Sequence, residues 1–132
     1  MLNINLPKVD FSVSKIGSNE SEYTSITQFR SHSEIPKTSG IYVFRNSKDE
    51  VLYVGQSKNL KSRMSTHFYR GAHLKAINHE VQHIDFYVIE DPMERAIYEI
   101  YMVNIFDSRY NAESKFYGKK TRISRKMKDR NM

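Results

Sequence analysis

Five side chains able to move a proton, bind an anion or hold a cation lie in the middle of this chain. Tyr42 and Tyr53 each stand two residues from a glycine, and Arg63 and His67 follow four positions apart. Glu99 stands in an otherwise apolar run. Cleavage of a phosphodiester needs a deprotonated water, a polarised phosphate and stabilisation of the leaving oxygen. Phenol, guanidinium, imidazole and carboxylate groups are able to supply these functions.

A β-hairpin is predicted to carry the two tyrosines. The β-rich runs IYVF and VLYV flank the polar stretch RNSKDE, which is typical of a turn. With the turn centred between Ser47 and Lys48, antiparallel pairing places Tyr42 opposite Tyr53. Both phenols would then lie on one face of the sheet, and a shift of one residue would send them to opposite faces.

Two helices are predicted to follow, over residues 57–70 and 92–106. The first has Ser57 as its N-cap, and its buried stripe comprises Leu60, Met64 and Phe68. The second starts at Asp91 and Pro92, a capping residue followed by proline at the first helical position. Its expected apolar stripe comprises Met93, Ala96, Ile97, Ile100 and Val103. Glu99 at the edge of that stripe costs free energy unless a cation meets it.

The predicted fold is α/β (α+β), with a small central antiparallel sheet of three strands flanked by the two helices. The strands are IYVF, VLYV and HIDFYVI. We expect residues 37–113 to form the domain, after an N-terminal lead-in over residues 1–36 that is irregular or contains a short edge strand. Residues 114–132 form a basic C-terminal tail.

Positive charge is concentrated in that tail. The chain of 132 residues has a net charge of +6, and the 18 residues from Lys115 onward contain eight Lys or Arg and one Asp. Either a phosphate-binding arm or a solvated terminus accounts for this excess. The candidate phosphate contacts there are Lys119, Lys120, Arg122 and Arg125. The chain contains no cysteine and no apolar run long enough for a membrane span, so we expect a cytoplasmic protein.

The spacing of the candidate residues resembles the GIY-YIG nuclease superfamily, which includes the nuclease domain of the bacterial excision-repair incision protein. The matching positions are GIY at 40–42, YVG at 53–55, Arg63, His67, Glu99 and Asn111. Six positions in this order, spread over about half of the chain, make a specific signal. Gln56 departs from the resemblance, because the excision-repair domain carries a lysine after the second motif.

The resemblance implies a DNA endonuclease that uses one divalent cation, Mg²⁺ or Mn²⁺, held by Glu99. A tyrosine would activate the water, and the sequence leaves open which one, although we favour Tyr42 with Tyr53 as its partner. Arg63 would bind the phosphate, and His67 would assist proton transfer. The supporting residues would be Gly40, Gly55 and Asn111, and further phosphate contacts would come from Lys58 and Lys61. Recognition of DNA shape or backbone, as in repair, is favoured over reading of a long sequence.

Other interpretations stay open at this point. The same fold could bind nucleic acid without cutting it, or act as a sequence-specific restriction enzyme, and a protein partner is possible but unknown. Glu99 could pair structurally with Arg63, and Asn111 could simply end a helix. The stretch HEVQH at 79–83 matches a zinc-protease pattern, but it runs directly into a predicted strand and is expected to be a polar turn.

Overall fold

The computed structural model describes residues 5–16, 24–68 and 75–111. In chain order, the strands are β1 (Phe11–Ser14), β2 (Gly40–Arg45), β3 (Val51–Ser57) and β4 (His83–Val88). The helices are α1 (Leu60–His67), α2 (Lys75–Asn78) and α3 (Pro92–Ile105), and two short 3₁₀ turns precede β2 at Ile26–Gln28 and His32–Glu34. None of the described helices combines the length and apolar character needed to cross a bilayer.

The sheet has four antiparallel strands in the order β1-β4-β2-β3. The prediction of three strands was therefore one strand short, although the mixed fold with flanking helices is confirmed. Residues 11–14 form the edge strand that was one of two interpretations of the lead-in. This strand is only 4 residues long, and Ser12 meets Asp85 from 73 positions away. Local periodicity carries no information about so distant a partner.

The register of the β2–β3 hairpin differs from the prediction by two residues. Tyr42 lies opposite Gly55, and Tyr53 lies opposite Phe44, so the predicted Tyr42–Tyr53 pairing is wrong. Side chains alternate between faces with a period of two, and a shift of two therefore keeps both tyrosines on the same face. The expectation that the phenols share one face is confirmed.

The turn of this hairpin explains the shift. The side-chain oxygen of Asn46 accepts hydrogen bonds from the backbone N–H groups of Lys48 and Glu50, at 3.0 and 2.9 Å. Asp49 adopts the left-handed conformation with φ of 63°. A β-bulge follows where the register changes between Phe44 and Arg45. The prediction placed the centre of the turn in the middle of the polar stretch, which assumes a symmetric turn. The actual turn is asymmetric, so the predicted register was wrong by two residues.

Helix α1 covers the face of the sheet that carries both tyrosines. Its predicted stripe of Leu60, Met64 and Phe68 is buried. The helix starts at Leu60 rather than at residue 57, and Asn59 is its N-cap, accepting a bond from Ser62 N at 3.0 Å. Ser57 was the predicted cap, but it still pairs with Gly40 in the sheet.

The segment before β2 supplies acceptors for the first turn of α1. The carbonyls of Thr38 and Pro36 accept from the N–H groups of Leu60 and Lys61, at 2.9 and 3.0 Å. These N–H groups have no partner within the helix. Ile35, in the same segment, is buried in the core beneath α1. The boundary at residues 36 and 37 stays a prediction, but the chain before it contributes to this core.

Helix α3 covers the opposite face, and it is rotated relative to the predicted stripe. Asp91 caps its N-terminus and Pro92 is its first residue, as predicted. Met93 and Ile97 were expected in the interior, but they are 73% and 49% exposed. The buried residues of the helix are Arg95, Met102 and Val103. Val103 belongs to the predicted stripe and is buried, so the prediction fails at Met93 and Ile97 and holds at the C-terminal end of the helix.

Candidate active site

The side chain of Tyr42 crosses the edge strand of the sheet above Gly55. A β-carbon added at Gly55 would overlap the ring and the hydroxyl of Tyr42. Only glycine lets the phenol from β2 pass over β3. Gly40 is constrained in a similar way, since a β-carbon there would overlap the Tyr87 carbonyl oxygen and lie 2.9 Å from Leu60. Both motif glycines therefore allow close approach of neighbouring groups.

The hydroxyl oxygen of Tyr42 lies beside a guanidinium and a second phenol. Arg63 Nε on α1 donates to it at 3.2 Å. The ring centroid of Tyr53 lies 6.1 Å from that of Tyr42, and each phenol acts on the pKa of the other. The Tyr42 oxygen is thus the acceptor for Arg63.

The pKa values of the two phenols follow from burial and from this arrangement. Burial raises the pKa of Tyr42, while the hydrogen bond and charge of Arg63 act in the opposite direction. Burial also raises the pKa of Tyr53 strongly, and negative charge on Tyr42 raises it further. The bond to Tyr42 raises the pKa of Arg63, which therefore stays a cation. Of the two phenols, Tyr42 is the better placed to carry negative charge.

His67 lies one helical turn after Arg63 and is 2% exposed. Its ring centroid lies 4.6 Å from that of Phe44, and 6.5 and 6.3 Å from those of Tyr42 and Tyr53. The imidazole therefore belongs to the aromatic cluster beneath the phenols. The structure brings His67 together with both tyrosines, as the sequence predicted.

Glu99 reaches the site from α3, on the other side of β3. Its carboxylate raises the pKa of both Tyr42 and Tyr53, so its charge lies within range of the two hydroxyls. Gln56 Nε2 donates to Glu99 Oε1 at 3.3 Å, and Gln56 Oε1 accepts from Arg95 Nε at 3.1 Å. Gln56 thus connects an arginine to the carboxylate.

Arg95 was missed by the sequence reasoning. A signal was present, because Arg95 precedes Glu99 by four positions and so lies on the same side of the helix. Its side chain is 5% exposed. Gln56 carries no charge. The positive charge of this hydrogen-bonded group belongs to Arg95, which is linked to Glu99 through Gln56.

Asn111 pairs with the outer edge of β3 as a neighbouring peptide would. Its Oδ1 accepts from Val54 N at 2.6 Å and its Nδ2 donates to Val54 O at 2.9 Å. Ser108 Oγ donates to the same Oδ1 at 2.7 Å, and Tyr110 N donates to Leu52 O at 2.9 Å. Tyr53 lies between Leu52 and Val54, so these bonds hold the backbone on both sides of it.

The predicted basic contacts fall into two groups. Lys58 is exposed, and Lys61 Nζ donates to the Ser33 carbonyl at 2.7 Å. Both lie at the N-terminal end of α1, the helix that carries Arg63. The predicted contacts of the tail, Lys119, Lys120, Arg122 and Arg125, lie outside the described residues and stay a prediction.

The HEVQH stretch is not a zinc site of the protease type. Helix α2 ends at Asn78 and β4 starts at His83, so the two histidines do not share a helix. Glu80 instead accepts hydrogen bonds from Arg109 and Tyr110, at 2.9 and 2.7 Å. Within the described part of the chain, no group of three or more His, Cys, Asp or Glu side chains could hold a metal ion. Among the described residues, Glu99 therefore does not belong to such a group.

Comparison with known proteins decides the family. The family model of the UvrC-like GIY-YIG domain matches residues 38–112. The chain belongs to the UvrC-like GIY-YIG family. The matched range contains β2, β3 and α3, which carry both tyrosines and Glu99.

Relatives of two kinds are similar to this GIY-YIG chain. An uncharacterized protein, YurQ of Bacillus subtilis (strain 168), is 33% identical over 123 residues, covering 89% of this chain and 99% of YurQ. UvrABC system protein C of Methanococcus maripaludis is 31% identical over 86 residues, or 63% of this chain. That of Mycoplasma capricolum is 32% identical over 74 residues, or 54% of this chain. The chain spans only 16% and 13% of these two UvrABC proteins.

A solved structure shows the same fold. The GIY-YIG N-terminal endonuclease domain of UvrC from Thermotoga maritima, bound to its catalytic divalent cation magnesium, matches with a TM-score of 0.53 and 22% identity. The match covers 58% of this chain and 85% of that domain. At this identity the likeness concerns the arrangement of strands and helices.

Proposed function

We propose that this GIY-YIG chain is a metal-dependent endonuclease that hydrolyses phosphodiester bonds in DNA. The observation that carries the proposal is the convergence at Gly55. The Tyr42 oxygen accepts from Arg63 and its ring lies 6.1 Å from that of Tyr53 on one side of β3, and Glu99 approaches from the other side, bonded to Gln56. This arrangement supports the proposal that Tyr42 acts as a base, Arg63 as an anion-binding cation and Glu99 as a metal ligand at this sheet edge.

Tyr42 is proposed as the general base. Its oxygen faces a guanidinium and a hydroxyl donor, both of which stabilise a phenolate. Tyr53 is the weaker candidate, since its pKa is raised by burial and by negative charge on Tyr42. A Tyr42 phenolate would take the proton of the attacking water, and Tyr53 would keep its own proton and orient the phenolate. His67, buried against both rings, is proposed to assist proton transfer.

Arg63 is proposed to bind two groups, the hydroxyl of Tyr42 and the scissile phosphate. Its Nε is engaged by the Tyr42 hydroxyl, and a guanidinium has further N–H donors in a fixed fork. Such a fork suits phosphate oxygens whose negative charge grows during the reaction. Arg63 would therefore connect the base to the group under attack.

The residues present fit a single Mg²⁺ or Mn²⁺ ion. Glu99 is half-buried, its charge acts on both phenols, and its Oε1 accepts a hydrogen bond from an amide donor. One carboxylate with substrate phosphate and water suits Mg²⁺, which dehydrates reluctantly. When bound, the cation would polarise the phosphate and stabilise charge on the leaving oxygen. The magnesium of the Thermotoga maritima domain supports this choice of ion.

DNA is proposed to be recognised by its shape and backbone. Lys58 and Lys61 lie at the start of the helix that carries Arg63, and the tail adds eight basic residues. Contacts of this type position a duplex without reading its sequence. Branched or single-stranded DNA is the proposed substrate class, in keeping with the resemblance to the excision-repair nuclease domain.

Nicking of supercoiled plasmid and of branched oligonucleotides tests this function. Wild type should cut with Mg²⁺ or Mn²⁺ and stop with a chelator, and Glu99→Gln and Arg63→Ala should lose cutting. Glu94→Gln is the matched control, because Glu94 lies on the same helix and is exposed. Wild type that binds DNA in a salt-dependent way but never cuts would establish a binding module instead. Cutting at fixed sites would indicate a restriction enzyme.

A further inference from the structure

The carboxylate of Glu99 is connected to a buried arginine through one amide. Arg95 Nε donates to Gln56 Oε1 at 3.1 Å, and Gln56 Nε2 donates to Glu99 Oε1 at 3.3 Å. We propose that Arg95 and Gln56 are positioning residues that orient Glu99 toward a divalent cation. The inference rests on the proposed metal-binding role of Glu99 and extends it to two residues that the motif does not include.

Arg95 is held in place independently of Glu99. Its NH1 group donates to the carbonyls of Ile89 and Glu90, at 3.1 and 3.3 Å. These residues follow β4 directly and lead into α3. With its side chain 5% exposed and bonded to backbone, Arg95 has a position that the fold determines. It is a rigid point from which Gln56 can be oriented.

The two charged neighbours allow Gln56 one orientation of its amide. A guanidinium is a donor only, so Gln56 must present its oxygen to Arg95. An ionised carboxylate is an acceptor only, so the amide NH₂ must face Glu99. Reversing the amide would place its NH₂ group against the N–H donors of Arg95 and its oxygen against the carboxylate oxygens of Glu99. Arg95 therefore determines that Glu99 receives an N–H bond at Oε1.

The amide of Gln56 stands between Arg95 and the carboxylate of Glu99. Arg95 and Glu99 stand four positions apart on α3, a spacing at which direct ion pairs form. A guanidinium forked onto Glu99 would compete with a cation for the same oxygens. Gln56 orients the carboxylate with a neutral donor instead. In metal sites, partners that hydrogen bond to a ligand fix its direction, and their loss typically costs 10–100-fold in affinity.

Binding of Mn²⁺ alone to the full chain, followed by the decrease of free Mn²⁺ in electron paramagnetic resonance, tests the inference. Gln56→Leu should raise the Kd for Mn²⁺ by about 10–100-fold, and Arg95→Met should act in the same direction. Gln56→Leu carries the test if Arg95→Met does not fold. Gln82→Leu is the matched control, since it makes the same change at a half-buried position before β4, and its Kd should equal that of wild type.

The cutting assay adds a second measurement. Excess Mn²⁺ should restore the kcat of Gln56→Leu while the KM for DNA stays within twofold of wild type. A purely structural link between β3 and α3 would instead lower the melting temperature and leave the Kd for Mn²⁺ unchanged, which would overturn the inference. Glu99→Gln separates the two proposals. If it binds Mn²⁺ as wild type does, the metal assignment itself fails; if it alone loses binding, only the roles of Gln56 and Arg95 fail.

Discussion

The two faces of β3 contribute to the candidate site in different ways. On the α1 face, Tyr42, Tyr53 and His67 are positioned by packing of rings against one another and against Phe44. On the α3 face, Glu99 is positioned by hydrogen bonds through Gln56. The proposed base is thus held by an apolar cluster, while the proposed metal ligand is held by a polar link.

This difference explains which half of the site could be read from the sequence. Apolar packing follows periodicity, and the stripe of α1 was predicted residue by residue. A buried polar link has no periodic signature, because its members come from a strand and a helix far apart in sequence. Removing groups on each face in turn tests whether the two halves differ in this way.

The largest effect is expected from removal of the Tyr42 hydroxyl. Tyr42→Phe should lower kcat by about 10²–10⁴-fold, the range for loss of a general base. Tyr53→Phe should cost about tenfold, equivalent to one hydrogen bond of about 1.4 kcal/mol. Single-turnover cleavage of a branched oligonucleotide measures both effects. A larger loss for Tyr53→Phe than for Tyr42→Phe would assign the base to Tyr53.

Substitution of the glycine beneath the phenol should act through the same ring. Gly55→Ala places a methyl group where the Tyr42 ring lies, and it should cost about 1–3 kcal/mol in the free energy of unfolding as well as activity. In a Tyr42→Leu background the overlapping ring atoms are absent, and the added cost should disappear. Urea denaturation of the four variants of this cycle gives the coupling. If the free-energy costs of Gly55→Ala and Tyr42→Leu are simply additive, the Tyr42 ring does not lie over Gly55.

At the outer edge of β3, the amide of Asn111 should matter for stability. Asn111→Ala leaves the N–H and C=O of Val54 without their side-chain partner and should cost about 1–3 kcal/mol in the free energy of unfolding. Asn111→Asp keeps an acceptor for Val54 N but turns an oxygen toward Val54 O, so it should also destabilise. Urea denaturation of both variants checks this. Free energies within about 0.5 kcal/mol of wild type would show that the pairing is dispensable.

High pH should lower the stability of the protein, because burial favours the neutral form of Tyr53. Burial raises the pKa of Tyr53 in the folded state, whereas the unfolded phenol ionises near its ordinary value of 10.0. The stabilisation is therefore complete below pH 10 and is lost as the pH rises through the folded-state pKa. The melting temperature of wild type should fall more steeply above pH 10 than that of Tyr53→Phe. Parallel curves for the two proteins would contradict the shift.

The smallest effect is expected on the exposed side of α3. Met93 is 73% exposed, so Met93→Ser should change the free energy of unfolding by no more than about 0.5 kcal/mol. Met102, which is buried on the same helix, should cost about 2–5 kcal/mol when changed to alanine. Chemical denaturation of the two variants compares them directly. Equal costs would indicate that the helix is packed on the side that the sequence predicted.

The sequence by itself determined the features that depend on neighbouring residues. These are the β-hairpin, the buried stripe of α1, the start of α3 at Asp91 and Pro92, and the set of residues that resembles the family. The resemblance rests on the order of six positions along the chain, and the first three rest on spacing within one element or on turn and capping residues. Such signals are local because hydrogen bonding and side-chain direction repeat within each element.

The tertiary structure decided everything that depends on partners far apart in the chain. It added β1 to the sheet, rotated α3 toward Arg95 and gave Asn111 its place beside Val54. In each case a polar or backbone group is matched with another from a distant segment. Burial without a partner is costly for such groups, and the partner exists only once the chain has folded.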